Sequence, residues 1–133
     1  MIPKLDAYMA EEEKDFAIDK AHLTSCLMNL PIIHAKWLRR LINEQALFIK
    51  MDAARRKMFR DKHEYYSSQY KLEIKPNHLL WYVEADPDYS KMLFKIDVQK
   101  KIIDYLERIV QRIKDHNYII RNIQDWEKFK AGV

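Results

Sequence analysis

The sequence predicts a mainly α fold, long helices with a small β-hairpin or extended segment. Three observations predict it. The 133 residues contain one glycine and four prolines, so the chain is poor in the residues that break helices. Leu, Ile, Lys, Arg, Glu and Met, all good or acceptable helix formers, are frequent. Apolar residues also recur at steps of three and four over most of the chain, the period of a helix face. One domain is expected from the length, and 48% apolar content suffices for a modest core.

Residues 1–19 form an acidic leader, two Lys against six acids, readable as a short helix or a partly ordered arm. Residues 20–133 are expected to form a single helical domain. Its first part, 20–75, is one long helix or two, with Pro31 as the only breaker, so either a kink or a new helix beginning with proline is expected there. Trp37, Leu41, Phe48, Met51, Met58 and Tyr65 follow at steps of three, four or seven and mark a core-facing stripe. Residues 76–96 change character. Leu79–Val83 and Met92–Ile96 favour strands, and "ADPDYS" between them favours a turn, which suggests a hairpin. From Asp97, a reasonable N-cap, residues 97–133 return to helical spacing. Ile102, Leu106, Ile109 and Ile113 alternate steps of four and three, with Ile103 and Val110 beside them, a stripe wide for a single helix. Asn117 is placed to close that helix, and Ile119, Ile123 and Trp126 share one face of a last one.

Composition excludes several kinds of chemistry. Phosphate-cradling loops and dinucleotide-binding turns need glycines at fixed places, and the only glycine is Gly132. A single cysteine, Cys26, permits no internal disulfide and no multi-cysteine metal site; in the apolar run "HLTSCLMNL" it reads as a small core side chain. The five histidines, His22, His34, His63, His78 and His116, are scattered without metal-ligand spacing. Asp86 and Asp88 flank Pro87 as turn formers rather than as an acid–base pair. No cofactor, metal or catalytic residue is expected. With no basic-then-apolar leader and no run of about 18 apolar residues, the chain reads as a soluble, intracellular protein with no membrane contact.

The net charge of +4 is unevenly spread: residues 36–75 hold eleven Lys or Arg against five acids. An anionic partner is therefore plausible. The stretch "AARRKMFRDKHEYYSSQY", residues 53–70, carries five of those cations and three tyrosines. On a helix Arg55, Phe59, Lys62 and Tyr66 fall within a sector of roughly 60°. Asp52–Arg56, Lys57–Asp61 and Arg60–Glu64 can pair along the helix for about 0.2 to 0.5 kcal/mol each, which leaves Arg55 and Lys62 as the expected uncompensated charges. Cations alternating with rings suit single-stranded nucleic acid, whose phosphates attract positive charge and whose unstacked bases rest on flat apolar surfaces. Lys36, Arg39 and Arg40 extend the track upstream. The bland alternative is a solvated face whose tyrosines are partly core.

"KWL" at Lys36–Leu38, the pair Arg55 and Arg56, and the run from Phe59 to Ser67 resemble the UvsY-type recombination mediators of tailed phages. The family segment reads Leu-Lys-Ala-Arg-Leu-Asp-Tyr-Tyr-Ser, and its distance from "KWL" matches without a gap. "FKID" near Asp97 and "IKDHNYIIRNIQDWEKFKAG" extend the likeness from about residue 18 onward. The resemblance implies single-stranded DNA contact through Arg60 and Lys62, with Tyr65 and Tyr66 at the motif tyrosines. It also implies a hexameric or heptameric ring formed through the C-terminal helices, here 97–133. A resident single-strand DNA-binding protein and a RecA-like recombinase are the implied partners, in the host cytoplasm. The chain departs from the motif at Asp61 and His63, where the family has Ala and Leu, and at "SSQY", where it has glycines. A helical oligomeric scaffold that binds no nucleic acid is the competing reading, and an enzyme is the third and weakest.

Overall fold

The computed structural model describes residues 2–132; Met1 and Val133, the outer ends of the expected leader and helical domain, lie outside them. The described residues form α1 (Pro3–Asp15), a 3-10 turn (Lys20–His22), α2 (Leu23–Glu64), a π-helical turn (Tyr65–Gln69), a second 3-10 turn (Pro76–His78), α3 (Leu79–Ala85) and α4 (Pro87–Lys130). No strand occurs among them. No helix among them is long and apolar enough to cross a membrane.

The expected hairpin at 79–96 is corrected to the end of one helix and the start of another. Leu79–Val83 is rich in strand-favouring side chains, but strand preference is mostly a matter of what the side chains pack against. Leu79 and Val83 lie four apart and are both buried, the spacing of one helical face. The presumed turn is a helix start. Pro87 occupies the first position of α4, where its missing N–H costs nothing. Asp86 caps it, its Oδ1 accepting from the Asp88 and Tyr89 amides at 2.9 and 3.1 Å. Asp97 is consequently interior to α4 rather than its cap. Asn117 does not end a helix either, because α4 runs on to Lys130. No described residue other than glycine has positive φ, and the closing conformation falls to Gly132, at φ 74°, whose amide donates to the Phe129 carbonyl at 3.1 Å. Pro31 starts no new helix and lies inside α2.

The chain packs as two units, residues 1–43 with 102–133, and residues 44–101. In the first, Leu23, Leu30 and Ile120 form a core cluster joined by Ile18, Cys26, Leu27, Ile33 and Ile123. Ile102, Leu106, Ile109 and Ile113 are also buried there. The stripe expected to meet other copies is thus filled from within the chain; Ile103, Val110 and Ile123 are half-buried, while Ile119 and Trp126 remain exposed.

The acidic leader folds as α1, which buries none of its own residues and is held largely by charge. Arg40 grips Glu11 with two guanidinium nitrogens, at 2.6 and 3.1 Å. Lys36 pairs with both Glu11 and Asp15, and the Trp37 indole donates to Asp15 at 2.9 Å. The bond from Arg40 outweighs burial and holds the Glu11 carboxyl below its ordinary range. Phe16, just past α1, is buried edge-on against His116 at 4.9 Å and beneath the Arg112 guanidinium at 4.5 Å. Burial first, then the Arg112 charge, lowers the affinity of His116 for a proton.

Candidate functional site

The second unit carries the basic-aromatic stretch. Its part of α2 and the first turns of α4 run antiparallel. Buried Gln99 donates to the Glu44 carbonyl and carboxylate at 2.9 and 2.7 Å, Arg55 meets Tyr89 at 3.3 Å, and Lys62 meets Asp88 at 3.1 Å. Of the stripe predicted along α2, Trp37 and Leu41, in the first unit, are buried. Phe48, Met51 and Met58 are half-buried, and Tyr65 is exposed.

The face of α2 that bears Arg55, Phe59, Lys62 and Tyr66 is turned toward the N-terminus of α4. All four side chains are half-buried. Phe59 packs on the buried Tyr89 ring at 5.9 Å. Tyr66 donates from its hydroxyl to Asp86 Oδ2 at 2.8 Å, and Lys62 lies 3.3 Å from the same oxygen and 3.1 Å from Asp88. The bond to Asp86, reinforced by burial, pushes the Tyr66 hydroxyl up to about 12. Asp86 is itself buried, so its two oxygens tie the α2 face and the α4 start together.

Two expectations about charge are corrected here. Lys62 is not uncompensated, because tertiary packing supplies two carboxylates that its own helix lacks. Arg55 is not either: it takes Asp52 at 2.9 Å, three residues back, and leaves Arg56 a looser 3.5 Å approach to the same acid. The anticipated Lys57–Asp61 and Arg60–Glu64 pairs do not form, and Lys57 and Arg60 make no ion pair among the described residues. The cations open to solvent are therefore Arg56, Lys57 and Arg60. Arg56, Arg60 and His63 share a strip of α2 beside the packed face, and Arg60 lines a surface depression with Phe59, His63, Glu64 and Ser67. In the first unit Lys36 and Arg40 are engaged by α1, while Arg39 is exposed and without an ion pair among the described residues.

Beyond Glu64 the helix loosens into the π turn, where the Ser67 and Ser68 hydroxyls both donate to the Glu64 carbonyl, at 3.0 and 2.8 Å. Such back-bonding competes with the regular helix ladder, and π turns recur at functional sites. The turn gathers rings: Tyr65, Tyr66 and Tyr70 lie with centroids 5.0 to 6.0 Å apart, and Tyr82 of α3 meets Tyr66 and Tyr70 at 5.8 and 5.9 Å. The second unit thus carries the exposed guanidinium groups of Arg56 and Arg60 and, at the turn beyond them, a ring cluster, the two kinds of group that a polyanion with flat substituents needs. Among the described residues no group of three or more His, Cys, Asp or Glu is placed to hold a metal.

A family model described as "Recombination, repair and ssDNA binding protein UvsY" matches residues 11–133. The chain belongs to the UvsY family. Solved structures of the bacteriophage T4 recombination mediator protein UvsY share its fold. One crystal form superposes with a TM-score of 0.87 at 22% identity, covering 95% of this chain and 98% of that one. A second gives 0.85 at 21% identity, covering 96% and 97%. No curated protein sequence matches the chain.

Within this UvsY-family chain, Asp86 and Asp88 are the site residues that sequence reading missed as partners of the cation face. The Asp-Pro pair, an N-cap followed by proline in the first turn, was the available signal. Their placement yields a prediction. Asp88 is 67% exposed and competes directly with any phosphate for Lys62. Asp88→Asn is therefore expected to tighten binding to an oligo-dT strand several-fold at low salt. Asp97→Asn, which adds the same net charge, is expected to do less, and the gain should vanish in a Lys62→Gln background. Anisotropy titration of the four variants checks it; equal gains from Asp88→Asn and Asp97→Asn would reduce the effect to net charge.

Proposed function

We propose that this protein is a non-enzymatic recombination mediator of a tailed phage, acting in the host cytoplasm. It binds single-stranded DNA without reading sequence, weakens the hold of a resident single-strand DNA-binding protein, and helps a RecA-like recombinase form its filament. Family membership supports the coarse reading. The single observation that carries it to named residues is the unpaired, exposed Arg60, one turn from Arg56 and in one surface depression with Phe59. Phosphates meet Arg56 and Arg60 and bases meet rings, so neither contact discriminates sequence. Tyr65 and Tyr66 stand at the motif tyrosines, and Lys62 contributes once a phosphate displaces Asp88. A ring of six or seven copies would let weak sites act together on one strand. Its contacts would have to come from surface other than the buried Ile102, Leu106, Ile109 and Ile113, with Ile119 and Trp126 available.

A second reading, a helical scaffold with no direct nucleic-acid contact, is favoured by the carboxylates already seated on Lys36, Arg40, Arg55 and Lys62. An oligo-dT titration across a range of salt concentrations separates the two. The mediator reading expects binding at moderate salt, with log affinity falling against log salt by roughly 0.7 per phosphate contact. Absence of binding at low salt overturns it.

A further inference from the structure

Trp81 is the most conspicuous side chain that the motif does not account for. Helix α3 buries Leu79 and Val83 and turns its other side, with Leu80 and Trp81, to solvent. Trp81 is 64% exposed. An indole so placed contributes little to the core, since apolar area stabilises a fold only when removed from water. It is nevertheless held in place: the His78 ring stacks on it with centroids 4.7 Å apart and planes 14° from parallel. That contact covers one face of the indole and orients the ring. Its surroundings are continuous with the site, because Tyr82, the next residue on α3, meets Tyr66 and Tyr70 of the motif turn. Lys71 and Lys75, in the connection that leads into α3, are exposed and without ion pairs among the described residues.

We propose that Trp81, backed by His78, is a stacking platform for an unpaired nucleobase, with Lys71 and Lys75 placed for the flanking phosphates. This extends the single-strand surface beyond the motif and rests on the DNA-binding reading above. The occupant follows from chemistry: a flat π-face fits an oriented indole, and the free ammonium groups on the connection into α3 complement a phosphate chain. A duplex, with its bases buried, offers no such face.

The test uses the full chain carrying Trp126→Phe. That leaves two indoles, Trp81, which is exposed, and Trp37, which has no accessible surface. Labelled oligo-dT is titrated at low salt, with strand anisotropy and tryptophan emission read together. The expected result is quenching of indole emission in step with the rise in anisotropy. Adding Trp81→Ala should abolish the quenching and weaken binding about tenfold, within the range for loss of one stacked base, with an unchanged salt slope. Trp81→Phe should retain most of the affinity. If the strand binds while emission stays constant and Trp81→Ala binds as tightly as its parent, the platform is overturned and the DNA reading survives. If neither these variants nor the unaltered chain binds the strand, both fall; if only the Trp126→Phe background fails to bind, Trp81→Ala and Trp81→Phe in the unaltered chain decide by anisotropy alone. If Trp81→Ala instead shrinks the assembly in light scattering without changing the affinity per subunit, the indole is a contact between copies and the proposal fails.

Discussion

Replacing Arg60 by glutamate is expected to lower affinity for oligo-dT by about ten- to a hundredfold at low salt, the loss of one charge-assisted phosphate contact worth about 1.5 to 3 kcal/mol. The salt slope should become shallower by roughly 0.7 per bound subunit. Stability should hardly move, because Arg60 is exposed and makes no ion pair among the described residues, and its new carboxylate meets Glu64 one turn on and Arg56 one turn back, opposed effects of a few tenths of a kcal/mol each. Anisotropy titrations at several salt concentrations, beside a thermal melt, measure both. An unchanged slope would remove Arg60 from the interface. The same reversal at Lys62 is the poorer experiment. It would set a third carboxylate against Asp86 and Asp88, so lost binding could not be told from lost fold. Lys62→Gln avoids that, and its smaller expected effect follows from the carboxylates Lys62 already holds.

Asp86→Ala is expected to destabilise the second unit by about 1 to 4 kcal/mol. Removing an N-cap costs about 0.5 to 2 kcal/mol, and the substitution also strips Tyr66 and Lys62 of a buried acceptor, a loss of similar size. Denaturant unfolding followed by hydrogen exchange in residues 44–101 would locate the loss; a change under 1 kcal/mol would contradict the tie described here. The pH dependence has a definite sign. Burial raises the Asp86 carboxyl, but the Tyr66 hydroxyl, the Tyr89 amide and Lys62 together hold it below its ordinary 3.8. The folded state thus binds the proton less readily than the unfolded chain. The stabilisation is fully present above that ordinary value and is lost as pH falls through the lowered one. Wild-type protein should weaken in that acid window and Asp86→Ala should show a flatter curve there. His116, whose proton affinity is lowered by burial, loses its stabilisation as pH falls below the usual histidine range, so its window lies higher.

Much of the helical architecture was legible because helix formation is written in local spacing. The Trp37 and Leu41 stripe, the buried run from Ile102 to Ile113 and the half-buried place of Cys26 against the core all follow from residues three and four apart. The hairpin misled because Leu79–Val83 has strand-like composition over a stretch too short to show its period, while Asp86 and Pro87 act equally well as turn formers and as a helix start. Asn117 misled because a residue able to adopt positive φ is not obliged to, and packing of Ile120 into the core carried α4 past it.

By itself, then, the sequence determined a helical chain with its positive charge gathered in the middle third and its basic-aromatic motif on one long helix, since propensity, charge and period are properties of neighbours. Only the tertiary structure decided which cations remain free. Lys62 meets Asp88 across 26 residues of sequence and Arg40 meets Glu11 across 29, pairings that no local rule contains because they depend on how helices return upon one another. Those returns turned the predicted aromatic face inward and left the strip beside it, with Arg56 and Arg60, to face solvent.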